Sequence, residues 1–263
     1  MRLAITADLA WHCQEPTDIL LQIEAAASSD QRVLSSALDC TSAGHLARVP
    51  AQDGIGERIW LHQEGDFAVS YRAEVEVLRR AEPLETLAAV PPHRLPGETV
   101  AYLMDSHYCP ASRFVPFADE EFAAVEGGAR VVAMRDWIAR HFRYVPGASN
   151  ASTTAIDSFV ERRGVCRDYA HVLICLARAA AIPARFSSGY GHAVKPQDFH
   201  ALAEVWLADA AGKGAWRVVD ATGMATAEDF ARIAVGRDAA DTSFLTSFGE
   251  AELRSLAITV RTV

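Results

Sequence analysis

The chain has 263 residues, 50% of them hydrophobic, enough for a sizeable core in one large domain or two modest ones. A formal net charge of −9, with no lysine- or arginine-rich block, disfavours nucleic acid and anionic membranes as partners. No run reaches the ~18 apolar residues of a membrane span, and Asp8 interrupts the apolar start before any secretory-signal pattern forms, so the expected address is the cytosol.

Strand patterns come first. In residues 67–77, FAVSYRAEVEV, the odd-numbered positions from Phe67 to Val77 are apolar, while Ser70, Arg72, Glu74 and Glu76 share the other face. A period of two is that of a half-buried antiparallel strand. Shorter strand patterns lie at 2–6, 18–25, 32–38 and 58–63, divided by the turn residues Asp53-Gly54 and Gly65-Asp66. The first ~80 residues are therefore expected to form a small antiparallel β domain, a sandwich. The stretch 82–97 carries four prolines and reads as a linker. Its end sets the expected boundary, with a β domain over 1–97 and a second unit over 98–263.

Helical spacing follows over 118–125 and 129–142, where Val132, Trp137, Ile138 and Phe142 offer an apolar face. A short helix is expected near 153–162. The main helix runs from Cys166 to Ala181, and Pro183 stops it. Strands resume from 184. Strands, then helices, then strands indicate an α+β fold.

Five cysteines stand at 13, 40, 109, 166 and 175, an odd number with no C-x-x-C pair. Neither a disulfide framework nor a zinc ribbon is indicated. Cys13, Cys40 and Cys175 read as small buried hydrophobes. Cys166 differs, because Gly164 is placed to turn the chain and Cys166 opens the main helix. The helix macrodipole and its free N–H groups favour an anion there, and a thiolate is the nucleophilic form of cysteine.

Two further residues join it. His200 opens an apolar strand, HALAEVWL, and Asp220 ends another, WRVVDAT, with the glycine-bearing loop ADAAGKGA between them. Pairing with positions summing to 420 sets His200 opposite Asp220 on one face. The carboxylate would then orient the imidazole and leave the other ring nitrogen for the thiolate, the logic of a catalytic triad with sulfur as nucleophile.

The segments GVCRDYAHVLICLARAAAIPARFSSGY, HALAEVWL and WRVVDAT resemble the three core motifs of the transglutaminase-like superfamily. The likeness is to its bacterial branch of cysteine proteases and transglutaminases, and it spans roughly residues 100 to 240. YRAEVEV, YLMDSHYCPASRFVPFA and GRDAAD also fit that branch. The resemblance implies a papain-like α+β core preceded by the β-sandwich domain. It makes Cys166 the nucleophile, His200 the acid and base, and Asp220 the orienting carboxylate. It implies a peptide or protein substrate, with water or a primary amine as acceptor, and no cofactor or metal. Leu202 stands where the family often has Trp, and Ala221 where it often has Pro. The first departure bears on the cleft wall and hence on substrate preference.

Other side chains have two readings. Asp168, His171, Cys175 and Arg178 fall in line on the main helix, either as a polar network behind Cys166 or as helix-to-sheet fixings. Tyr190 is either a cleft wall or a packed tyrosine. The Cys166 N–H is one natural oxyanion donor, and the sequence does not identify a second. Three functions stand: a thiol acyl-transfer enzyme, a catalytically silent peptide-binding relative, and a metal site of Cys166, His200 and Asp220.

Overall fold

The computed structural model describes residues 1–40 and 45–263, in which two antiparallel sheets dominate. The first sheet is built on two long paired strands, β1 (Arg2–Leu21) and β4 (Glu57–Val77). Along the other edge of β4 lie β2 (Gln31–Cys40) and β3 (His45–Pro50). The strands expected at 2–6 and 18–25 are therefore one, as are those at 58–63 and 67–77. A bulge is the reason: Cys13 pairs with Gly65, and the next pair is Thr17 with Gln63. Gly65 makes no turn. It takes φ +72° inside β4, a left-handed conformation that bends the strand while its pairing continues.

Burial follows the alternation. Leu3, Ile5, Leu9 and Trp11 of β1 lie on the buried face with Val69, Tyr71 and Val75 of β4.

The proline-rich stretch is irregular, with single 3-10 turns at Leu84–Thr86 and Pro92–Arg94. The helices follow as α1 (Gly97–Val100), α2 (Val115–Phe122), α3 (Gly127–His141), α4 (Ala155–Glu161) and α5 (Cys166–Ala179). Two short parallel strands, β5 (Arg143–Tyr144) and β6 (Arg163–Gly164), tie the end of α3 to the start of α5. The second sheet contains β7 (Ala184–Gly191), β8 (Phe199–Ala208), β9 (Gly214–Val219) and β10 (Phe230–Gly236), in the order β10-β7-β8-β9.

A short helix, α6 (Ala239–Thr242), leads to β11 (Leu245–Ser247) and β12 (Glu252–Thr262), and both pair with β1. Residues 245–262 thus complete the first sheet, although the sequence boundary at 97/98 assigns them to the second unit. In β12 most side chains are at least partly exposed, so no strong alternation marks it in the sequence.

Helix α5 is central rather than amphipathic, since every residue from Asp168 to Arg178 is buried. Leu173, Ile174 and Leu176 share a core with Phe186, Val205 and Leu207 of the second sheet. The first sheet packs elsewhere on it, with Tyr190, Ala231, Ile233 and Ala234 entering the core of β1 and β4. A charged cluster accompanies this second contact. Glu204, fully buried, lies 2.6 Å from both Arg185 and Arg232, and Arg232 reaches Asp30, in the turn just before β2, at 3.0 Å. Burial disfavours the Glu204 carboxylate, but Arg232 and Arg185 hold its pKa down to about 2.

Candidate active site

The start of α5 is fixed by its own third residue. Asp168 Oδ2 accepts the N–H of Val165 at 2.7 Å, which anchors the turn just before Cys166. Gly164 takes no left-handed φ, contrary to the turn expected of it. Glycine is needed there because a Cβ would stand 2.5 Å from the Cβ of Asp168. The left-handed residue is Arg162, φ 56°, which closes α4. Cys166 itself is half-buried and carries a free thiol.

The β8–β9 hairpin pairs Ala203 with Val219 and Ala208 with Gly214, a register summing to 422. The expected sum of 420 is therefore corrected by two, and Asp220 lies diagonal to His200, just past the end of β9. The face is unchanged, because a shift of two preserves the alternation. His200 Nε2 and Asp220 Oδ2 are 2.8 Å apart. The loop after β9 holds the carboxylate: Oδ1 accepts from the N–H and hydroxyl of Thr222, and Oδ2 accepts from the N–H groups of Met224 and Ala225.

Burial disfavours a charged imidazole at His200, but Asp220 and the nearby Cys166 thiol push its pKa up to about 10. Burial also opposes the Asp220 carboxylate, and the bond from His200 outweighs it, lowering its pKa below the usual range. His200 Nδ1 is buried with no formed hydrogen bond. A catalytic contact of this kind is often long until substrate tightens it. Opposite His200 on β7 stands Gly189, where a Cβ would meet the Phe230 ring at 2.5 Å. The missing side chain leaves room for Phe230, whose edge packs on the imidazole at 6.3 Å.

One residue escaped sequence reasoning. Tyr144 pairs with Gly164 in the β5–β6 ribbon. Its hydroxyl lies near Cys166, and burial together with that thiol raises its pKa to about 12. No local pattern marks it, since a two-residue parallel pair has no periodicity to read.

The remaining candidates are structural. Asp168 caps α5, while His171 Nε2 accepts from Ala239 N–H and its ring stacks on Tyr108. Arg178 donates to the carbonyls of Ala184, Met104 and Arg237, holding α5 to three neighbouring segments. Tyr190 is fully buried, and its hydroxyl donates to Ile23 O at 2.7 Å. Leu202 is buried against Ala225 and Phe230. Among the described residues, no group of three His, Cys, Asp or Glu side chains is arranged to hold a metal ion. A cleft of about 1080 Å³ opens beside Asp220, between β9 and the segment 79–85, and neither Cys166 nor His200 lines it.

A sequence model of the Transglutaminase-like superfamily matches residues 120–221. The crystal structure of a candidate cysteine protease from Cytophaga hutchinsonii is similar at TM-score 0.91 and 30% identity, over 99% of this chain and 90% of that one. An uncharacterized protein of Mycobacterium leprae is 32% identical over 116 residues, which is 42% of this chain and 41% of that protein. One of Mycobacterium tuberculosis is 30% identical over 124 residues, 42% of this chain and 40% of that protein. The chain thus spans about two fifths of the length of these curated relatives.

Proposed function

The chain belongs to the transglutaminase-like superfamily, and from that premise we propose that it is a thiol acyl-transfer enzyme acting on amide bonds of peptides or proteins. The observation that carries this reading is the buried His200–Asp220 pair beside a half-buried cysteine at a helix start.

In this reading Cys166 and His200 form a thiolate–imidazolium pair, which the Asp220 charge favours. The thiolate attacks the amide carbonyl, a C–S bond forms, and the carbonyl electron pair moves to oxygen. The Tyr144 hydroxyl and the Cys166 N–H are the two donors for that oxyanion, and a phenol with a pKa of about 12 stays protonated to serve. His200 then gives its proton to the departing amine as the C–N bond breaks, leaving a thioester on Cys166. Water or a primary amine attacks the thioester, His200 takes the proton, and the thiolate leaves.

The test is a thiol map. Limiting iodoacetamide should alkylate Cys166 well before Cys13, Cys109 and Cys175, which are fully buried, and before Cys40. Intact-mass spectrometry with a panel of peptides and amines should show an acyl adduct that Cys166→Ala lacks. An inert Cys166 in folded protein defeats the reading.

A further inference from the structure

β9 is an edge strand of the second sheet, and all six of its residues, Gly214–Val219, line the cleft of about 1080 Å³ beside Asp220. On one side β9 pairs with β8. On the other, among the described residues, no backbone group of Ala215–Val219 bonds to another segment. The segment 79–85 walls the far side of the cleft, so this edge faces a groove. A row of unpaired N–H and C=O groups is the template on which an extended peptide adds as a further strand.

The side chains of β9 state what such a strand would carry. Trp216 stands directly opposite Trp206 of β8, with the rings 5.4 Å apart. Gly214 makes room for this row, since a Cβ there would stand 2.4 Å from Trp206 Nε1. Trp216 remains half-buried on the cleft, so an aromatic residue opposite it on an added strand would lengthen the row. Arg217, the next residue, belongs to the other face of the strand. Its Nη1 donates to Glu82 at 2.7 Å, while its Nε has no acceptor among the described residues. An acidic residue opposite Arg217 complements that guanidinium.

We propose that the free edge of β9 is a peptide-docking site separate from Cys166 and His200. It takes an extended segment with an aromatic residue opposite Trp216 and an acidic neighbour opposite Arg217. The inference does not depend on Cys166 being a nucleophile. The site nonetheless adjoins the His200–Asp220 pair: Asp220 follows β9, and Ala225, whose N–H holds the Asp220 carboxylate, lines the same cleft.

The whole chain carrying Cys166→Ala, which cannot consume the probe, is titrated with the fluorescein-labelled peptide TVEYEVT, and binding is read by fluorescence anisotropy. Acids flank the tyrosine on both sides, so either strand direction sets one of them opposite Arg217. Hydrogen exchange should show peptide-dependent protection centred on 214–219. Two versions of the peptide, N-methylated at alternate residues, separate strand addition from other contacts: one should lose binding and the other keep it, because only one edge of the peptide faces β9. Arg217→Glu should weaken TVEYEVT about fivefold and favour TVKYKVT by a similar factor. Protection around residues 166 and 200 in place of β9 would assign the peptide to the candidate active site and overturn the inference. Equal binding of the two methylated peptides, or no binding of TVEYEVT at all, would overturn it as well. The exchange and methylation arms use no change in β9, so a folding defect in Arg217→Glu cannot decide the result.

Discussion

Nε2 of His200 stands 2.8 Å from Oδ2 of Asp220, with the two side chains only 0% and 2% exposed. So enclosed a pair makes each group's charge depend on the other. Asp220→Asn keeps the shape and removes the charge, so the His200 pKa should fall well below about 10. An NMR titration of the imidazole reads this directly. Acyl transfer should fall by roughly four orders of magnitude with folding largely kept. An unchanged titration would show that the carboxylate does not govern the imidazole.

The same pair shapes stability against pH. Folded His200 holds its proton up to about 10, against 6.5 for the ordinary group. Its contribution is therefore complete below 6.5 and is lost as pH rises through about 10. Asp220, with a lowered pKa, contributes above 3.8 and loses that contribution as pH falls through its folded value. The Tm gap between wild type and His200→Gln should narrow steadily as alkaline pH is approached. A gap that widens there contradicts the sign.

Tyr144→Phe removes the proposed oxyanion donor and leaves the ring. Acyl transfer should drop on the order of 10²- to 10³-fold. Alkylation of Cys166 by iodoacetamide passes through no carbonyl oxyanion and should fall far less. Equal losses in both assays would instead assign Tyr144 to activating or packing the thiol.

A chain beginning at residue 98 keeps Cys166, His200 and Asp220 but loses β1, the partner of β11 and β12. It would also expose Tyr190, Ala231, Ile233 and Ala234, and leave Arg232 without Asp30. Such a chain should aggregate or melt without cooperativity. Cooperative calorimetric unfolding together with retained Cys166 labelling would show that the second sheet stands alone.

Much of the fold was legible where the signal is local. Alternation over 67–77 fixes which side chains of β4 are buried, and helix formers from Cys166 to the stop at Pro183 fix α5. Cys166 at the first turn of that helix, and His200 and Asp220 on one face of one hairpin, also follow from short stretches of chain. The observed register differs by two from the expected one, yet the pairing of faces is the same, because the side-chain period in a strand is two.

What the sequence by itself determined, then, is period and face. Only the tertiary structure decided partners: that β12 returns to β1 across the whole chain, that Gly65 bends rather than ends β4, and that Tyr144 meets Cys166. The same holds for Glu204, which reads as one polar residue in an apolar strand and proves to be a buried anion between two arginines. Periodicity is set by the backbone geometry of neighbouring residues, whereas partner choice is set by burying faces and satisfying charges on segments far apart in the chain.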